Sequence, residues 1–391
     1  LNALKFMVVA GEPSGDALAA DLVRALRTCA APQQEFEPRF FGAGGQHLRD
    51  AGVEIVADMT GHSVIGLSDA LKKILTFRKF FRQLRDAAFA RQPNVIVCVD
   101  FSGFNRRLGH AIKQKVRSRQ LDWFRPWNPK LVQYVSPQVW ASRPGRALKM
   151  REDFYLVLSI FPFEEEWYAR HAPGLKVKFT GNPLVDRYSA LLRDQGPRRR
   201  SDAPHVVLLP GSRRGELARH LPVLSGALKL MRAKLTQLTA AVVLPNESLA
   251  AVAKAIGLPD NARLSIGSLP EELLKADLAL ASTGTVTMEC ALFGVPTVAL
   301  YKTSWSTYQI GRRIVTVRFL SMPNILADEA IFPEFVQDDA TPENIGHCAV
   351  DLLKDPARRA AIRTRLQTIK STLGPPGAAE RAAKAILELL A

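Results

Sequence analysis

Short, unbroken apolar runs recur along the chain, and nearly every one leads into a segment whose apolar residues have helical spacing. In the first half "KFMVVAG" precedes "DALAADLVRALR", "EPRFFGAGG" precedes "QHLRDAG", and "NVIVCVDF" precedes "GFNRRLGHAIKQKVRSR". Apolar strands without polar alternation are buried on both faces, as in a parallel sheet covered by helices. The rhythm breaks at "RDQGPRRRSDAP", Arg193 to Pro204, and restarts with "HVVLLPGS". The expected fold is α/β, with two Rossmann-like, doubly wound parallel-sheet domains facing a cleft and helices at the C-terminus. The expected divisions are a domain over 1–192, a linker over 193–204, a domain over 205–368, and a helix over 369–391. That last helix returns to the first domain or reaches a partner subunit. A length of 391 residues suits two such cores.

Hydrophobic residues make up 47% of the chain, yet the longest apolar runs are strand-length and far short of the ~20 residues that span a bilayer. No transmembrane helix is expected. Without a basic region, apolar run and small-residue cleavage site at the start, the expected location is cytoplasmic. Cys29, Cys98, Cys290 and Cys348 are widely separated and form no CxxC, which argues against a zinc site or a disulfide framework. The net charge of +16 implies an anionic partner: nucleic acid, an acidic membrane surface or a phosphorylated substrate.

Four strand-to-helix turns carry candidate chemistry. In "AGEPSGD", Glu12 and Asp16 stand where a dinucleotide would bring its pyrophosphate, so NAD or FAD is not expected there. Glu12, Ser14 and Asp16 instead suit a neutral or hydroxyl-bearing ligand, or Ser14 or Asp16 is simply the cap of the next helix. In "VCVDFSGFN", Asp100 ends a buried strand, where it serves as a general base if burial lifts its pKa, or caps the following helix. "LLPGSRRGE" joins the turn Gly211-Ser212 to Arg213, an anion cradle of amides and a guanidinium. In "ASTGTVTMECALFG", Ser282, Gly284 and Thr285 open a helix that carries Glu289. Amides and hydroxyls at that start suit phosphates, and the carboxylate suits ribose hydroxyls, so the pair of turns suggests a nucleoside diphosphate.

Two further segments stand out. "QYVSPQVWASRPGR" places Ser136, Gln138, Trp140, Arg143 and Arg146 in one connection, a composition typical of ligand loops. In "SVIGLSDALKKILTFRKFFRQLRDAAFAR", Ile74, Phe77, Phe80 and Phe81 share one helical face beside Lys79 and its basic neighbours. This describes either a core-facing helix with a solvated basic side or a helix lying in an anionic membrane interface, and the second reading is preferred.

With these motifs in order, the sequence resembles the lipid-A-disaccharide synthases over almost its whole length. "AGEPSGD" is similar to that family's AGExSGD, "SVIGLSDAL" to VMGxxEVL, "YVSPQVWASR" to YVSPSVWAWR, and "FTGNPLVD" to GHPLVD. "LLPGSRRGE" is similar to LLPGSRxxE, "STGTVTMECALFGVP" to SGTATLExALxxxP, and "MPNILADEAIFPEFVQDDATPENI" to PNIIAGxxxVPExLQxxATPxxL. The resemblance implies a two-domain GT-B glycosyltransferase that is inverting and joins UDP-2,3-diacylglucosamine to 2,3-diacylglucosamine 1-phosphate (lipid X). It implies an acceptor and membrane-side first domain and a UDP-sugar-binding second domain. UDP would meet Gly211, Ser212, Arg213, Ser282, Gly284 and Thr285, with Glu289 on the ribose and Asn324 nearby. Asp100 would be the base, and Glu12, Ser14, Asp16, Ser136, Gln138, Trp140 and Arg143 would line the acceptor side.

The same resemblance implies no metal and no cofactor, a peripheral place on the cytoplasmic face of the inner membrane, and a homodimer. Three departures accompany it. The family's DxPDFN is "DFSGFN" here, with Gly103 for its second acid; WAWR is "WASR", with Ser142; and residues 119–130 hold two of the five tryptophans in an insertion-like stretch. The alternatives are another GT-B enzyme, such as a UDP-N-acetylglucosamine epimerase or a soluble-sugar transferase, and a basic nucleic-acid-binding protein. The last lacks a helix-turn-helix, zinc or aromatic-strand signature, so no nucleic-acid partner is expected.

Overall fold

A computed structural model describes residues 4–31, 37–60, 70–119, 127–193 and 203–390, with the backbone alone at 70–74 and 119. Most of the expected linker, most of the 119–130 stretch and most of "SVIGLSDAL" lie outside the described residues. The chain forms two compact units, Leu1–Asp186 with Leu373–Ala391, and Arg187–Thr372.

The first unit runs β1 (Leu4–Ala10), α1 (Pro13–Ala30), β2 (Pro38–Gly44), α2 (Gln46–Asp50), β3 (Glu54–Asp58), α3 (Ala70–Arg91), β4 (Val95–Val99) and α4 (Ser102–Arg119). It continues through β5 (Lys130–Tyr134), α5 (Arg146–Asp153), β6 (Leu156–Ser159), α6 (Phe163–His171), β7 (Val177–Phe179) and the start of α7 (Pro183–Arg193). Its seven strands pair in the order β3-β2-β1-β4-β5-β6-β7, and every pairing is parallel.

The second unit holds β8 (His205–Leu209), α8 (Arg214–Lys234), β9 (Thr239–Leu244), α9 (Glu247–Ile256), β10 (Arg263–Ile266), α10 (Leu269–Lys275), β11 (Leu278–Ser282) and α11 (Thr285–Leu292). Then come β12 (Thr297–Tyr301), α12 (Trp305–Ile314), α13 (Met322–Ala327), β13 (Glu334–Val336), α14 (Pro342–Lys354) and α15 (Pro356–Thr372). Its six strands are ordered β10-β9-β8-β11-β12-β13, again all parallel. These are two Rossmann-like sheets, and the expected α/β architecture is what forms.

The lack of alternation in the strands has its cause in the packing. On β1, Phe6, Val8 and Ala10 face Leu22 and Leu26 of α1, while Met7 and Val9 face the layer containing Leu84, Leu108 and Ile112. Each side chain of that size contributes about 1.5–3 kcal/mol when taken fully from water. The last helix, α16 (Ala378–Leu387), belongs to the first unit and lays Ala382, Ala383 and Ile386 into the α1 side of its core. Asp186 fixes its start by accepting the amides of Gly377 at 2.7 Å and Ala378 at 2.9 Å, and Arg381 reaches the Thr180 carbonyl at 2.7 Å.

Strand order reverses between β1 and β4 in one sheet and between β8 and β11 in the other. Ligands of open parallel sheets bind outside the carboxyl ends of the strands at such reversals. All four candidate turns lie there.

Candidate active-site residues

In the first unit the turns after β1 and β4 touch. A Cβ on Gly11 would fall 2.4 Å from Phe101 Cδ1, so only glycine lets the two turns close. Helix α1 is capped by the extended backbone of Glu12, with no side-chain cap bond. This corrects the expectation that Ser14 or Asp16 caps α1: Pro13, whose fixed φ suits the first helical position, starts the helix ahead of both. Ser14 is exposed and Glu12 half-buried. Asp16 is buried and accepts the amides of Gly45 at 2.7 Å and His47 at 3.0 Å, so its carboxylate caps α2.

Asp100 follows β4 in a left-handed conformation, φ 47°, as do Phe101 at 40° and Val135 after β5 at 64°. Each such residue stores on the order of 1–3 kcal/mol, and two buried amides hold the arrangement. Asn105 Nδ2 donates to the carbonyls of Val99 at 3.2 Å and Asp100 at 2.9 Å. Gln133 Nε2 donates to the carbonyls of Asp100 at 3.1 Å and Val135 at 3.2 Å. Burial pushes the Asp100 carboxyl above its ordinary pKa, opposed by the Phe101 amide, which makes its anion a stronger proton acceptor. Gly103 is exposed in the first turn of α4, with open space where its Cβ would be.

The loop after β5 divides into an inner and an outer part. Trp140 is buried, edge-on to Phe163 at 5.1 Å, and donates from Nε1 to Glu164 Oε1 at 2.9 Å. That corrects its expected place on the acceptor surface: the indole anchors the loop from beneath. Ser136 is buried beside the same carboxylate. Burial pushes Glu164 up to about 7, against the stabilising indole and hydroxyl. Gln138 and Arg143 remain exposed. Arg146 is held below its ordinary pKa by burial and by the charges of Arg143, Arg106 and Arg107, so four guanidinium groups converge near the Asp100 end of α4.

Helix α3 turns its phenylalanines inward. Phe80 is buried in the core, which corrects its expected contact with a membrane. Phe77 lies 5.9 Å from Phe101 and 6.2 Å from Phe104, and Phe81 lies 5.8 Å from Phe104, ring centre to ring centre. The aromatic face is thus used on the Asp100 turn. Lys79 and Leu75 are exposed, and the side chain of Ile74 lies outside the described residues. Trp127, from the insertion-like stretch, packs edge-on to Phe89 at 5.2 Å and donates to the Pro93 carbonyl at 2.8 Å. Among the described residues no helix is long and apolar enough to cross a membrane.

In the second unit Gly211 has φ 123°, and a Cβ there would meet Glu216 Oε2 at 2.4 Å. Glu216 reaches back to accept the Ser212 amide at 2.9 Å and pairs with the exposed Arg213 at 3.2 Å, a reciprocal brace of the helix start. Gly284 caps α11 at φ 141°, and Gly284 and Thr285 are exposed, with Ser282 buried at the end of β11. At the start of α11 the Thr287 amide donates to the Gly284 carbonyl at 3.1 Å, and the amides ahead of it have no carbonyl within the helix to meet. One turn in, Glu289 is half-buried and raised above its ordinary pKa by burial. Tyr188 from α7 donates its hydroxyl to Glu289 Oε1 at 2.5 Å and fixes its orientation.

In this second unit three supporting residues escaped the sequence reading. His220 is buried and neutral, its Nδ1 donating to the Pro210 carbonyl at 2.8 Å and its Nε2 accepting the Lys302 amide at 3.0 Å. It ties the β8 turn to the end of β12. Glu334 accepts the amides of Leu320 and Ser321, each at 2.9 Å, and the Asn324 amide at 2.8 Å. Asn324 also donates to the Phe332 carbonyl and accepts its amide, each at 2.8 Å, so its side chain is engaged inward on every polar atom. Tyr188 is the third. A polar residue inside an apolar run is the signal that could have found His220.

The family described as Lipid-A-disaccharide synthetase matches residues 6–387. The lipid-A-disaccharide synthase of Syntrophus aciditrophicus is 34% identical over 397 residues, covering 100% of this chain and 99% of that protein. That of Myxococcus xanthus is also 34% identical over 397 residues, covering 100% and 98%. In fold, the S. aureus MnaA–UDP structure superposes with a TM-score of 0.62 at 14% identity, covering 100% of this chain and 97% of the other. WaaG, a glycosyltransferase involved in lipopolysaccharide biosynthesis, gives 0.53 at 13% identity, covering 98% and 99%. These two structures share the fold alone, while the synthases share the sequence from end to end. The chain is a glycosyltransferase and belongs to the lipid-A-disaccharide synthase family.

Proposed function

We propose that this enzyme transfers 2,3-diacylglucosamine from its UDP conjugate to the 6-hydroxyl of lipid X, giving the β-1,6-linked disaccharide and UDP. Asp100 takes the hydroxyl proton as the acceptor oxygen bonds to the anomeric carbon; the bond from that carbon to the UDP oxygen breaks on the opposite face, inverting the centre. Ser212, Arg213 and the helix-start amides at Gly284 and Thr285 stabilise the departing diphosphate, and Glu289, oriented by Tyr188, takes the ribose hydroxyls. Gly211 and Ser282 shape those turns, and Asn324 supports the neighbouring loop. The scheme uses no metal and no cofactor.

On the acceptor side, Glu12, Ser14, Gln138 and Arg143 contact the sugar and its substituents, with Asp16, Ser136 and Trp140 supporting them. The four-arginine group of Arg106, Arg107, Arg143 and Arg146 suits the acceptor's 1-phosphate. The enzyme works on the cytoplasmic face of the inner membrane as a peripheral homodimer, with exposed Leu75 and Lys79 of α3 toward the anionic surface. The observation that carries the reading is the raised carboxyl of Asp100 on a backbone fixed by Asn105 and Gln133 at a sheet reversal. UDP release from UDP-2,3-diacylglucosamine in detergent micelles tests it. Release should require lipid X; release without it would point to hydrolysis or epimerisation.

A further inference from the structure

At the sheet edge opposite Asp100, where β5, β6 and β7 begin, a cavity of about 620 Å³ opens in the first unit. That volume suits a small-molecule ligand, and its wall carries five cations, Lys113, Arg117, Lys130, Arg151 and Lys176, against three carboxylates. Lys113 of α4 is buried and donates to Asn128 Oδ1 at 2.7 Å and the Pro129 carbonyl at 2.9 Å. An ammonium has three donors, so one N–H remains. Its Nζ lies 4.4 Å from the Tyr155 ring centre, and the Nζ of Lys130 lies 4.2 Å from the same ring. Burial, with the charges of Arg117 and Lys130, pushes Lys113 down to about 8. Lys176 stands in the same wall.

Three carboxylates, Glu152, Asp153 and Glu388, share the wall, and the charge of Asp153 offsets only part of the burial cost of Lys113. Glu388 pairs with Lys178 at 3.1 Å. Asp153, buried and lining the cavity, gives Oδ2 to His110 Nδ1 at 2.9 Å, while its Oδ1 has no hydrogen-bond partner among the described residues and lies 3.9 Å from Arg117. A buried carboxylate oxygen without a donor is costly. The cavity wall therefore keeps a net positive charge.

We propose that this cavity is a second, non-catalytic binding site for a small phosphorylated sugar, whose phosphate meets Lys113, Lys130 and Lys176 and whose hydroxyls face the polar remainder of the wall. The test is calorimetric titration of the intact protein with glucose 1-phosphate and with inorganic phosphate. Glucose 1-phosphate should bind once per chain, and Lys130→Met or Lys176→Met, both at partly or fully exposed positions, should each weaken it at least tenfold with unliganded melting unchanged. No saturable binding, or binding that survives both lysine substitutions, overturns the site. Equal affinity for inorganic phosphate overturns its assignment to a sugar.

Discussion

The carboxamide of Gln133, one residue before the end of β5, donates to the backbone carbonyl of Asp100 at 3.1 Å and so joins the ends of two neighbouring strands. The same amide reaches the carbonyl of Val135 at 3.2 Å. Both acceptors belong to residues in the left-handed region, which neither aspartate nor valine adopts without outside support. Gln133→Leu fills the same space without the donors. It should lower kcat with little change in the KM for UDP-sugar and cost about 1–3 kcal/mol of stability. Steady-state kinetics and urea unfolding check it.

Glu164 predicts a pH dependence with a definite sign. Its folded-state pKa of about 7 stands above the ordinary 4.5. The folded protein therefore holds the proton more tightly, and the stabilisation is complete below about pH 4.5 and is lost as pH rises through 7. A shift of that size corresponds to about 3 kcal/mol. Urea unfolding of Glu164→Gln, which keeps an acceptor for Trp140, should show a flatter pH profile between 5 and 8 than the parent.

Gly211 tests the nucleotide side. Alanine there meets both a φ of 123° and the Glu216 carboxylate at 2.4 Å. Gly211→Ala should cost roughly 2 kcal/mol of stability and weaken UDP binding at least tenfold by moving the turn that carries Ser212 and Arg213. Melting curves with and without UDP separate the two effects.

The convergence of Arg106, Arg107, Arg143 and Arg146 makes a prediction about the acceptor alone. Arg143→Ala and Arg146→Ala should each raise the KM for lipid X severalfold and leave the KM for UDP-2,3-diacylglucosamine unchanged. The Arg146 guanidinium is the less solvated of the two, so its loss should matter more. Varying each substrate at saturating levels of the other reads this directly.

Both sheets were legible because strands buried on two faces carry runs such as "VIVCV" and "LALAS" that no surface strand carries. The turns at Asp100, Gly211 and Gly284 were legible because each sits where an apolar run stops. The inward orientation of Phe80 and Trp140 was not. A helical wheel gives the apolar face of α3 but not the partner that covers it, and that partner is Phe101 and Phe104, from a later segment of mixed polar sequence. Asn105 and Gln133 escaped for a related reason: their donors act on backbone carbonyls, and a carbonyl has no letter in the sequence. Asp16 reads as a cap for its own helix because local capping is the commoner use of that residue type, whereas here it reaches across to α2.

The central claim is that Asp100 removes the acceptor proton. The most direct measurement is the turnover of Asp100→Asn with both lipids, alongside its affinity for UDP. The asparagine keeps the size of the side chain and the backbone carbonyl that Asn105 and Gln133 hold. Turnover should fall by at least a hundredfold, the range of general-base contributions, with UDP affinity unchanged. Near-normal turnover in this variant would contradict the assignment of Asp100 as the base.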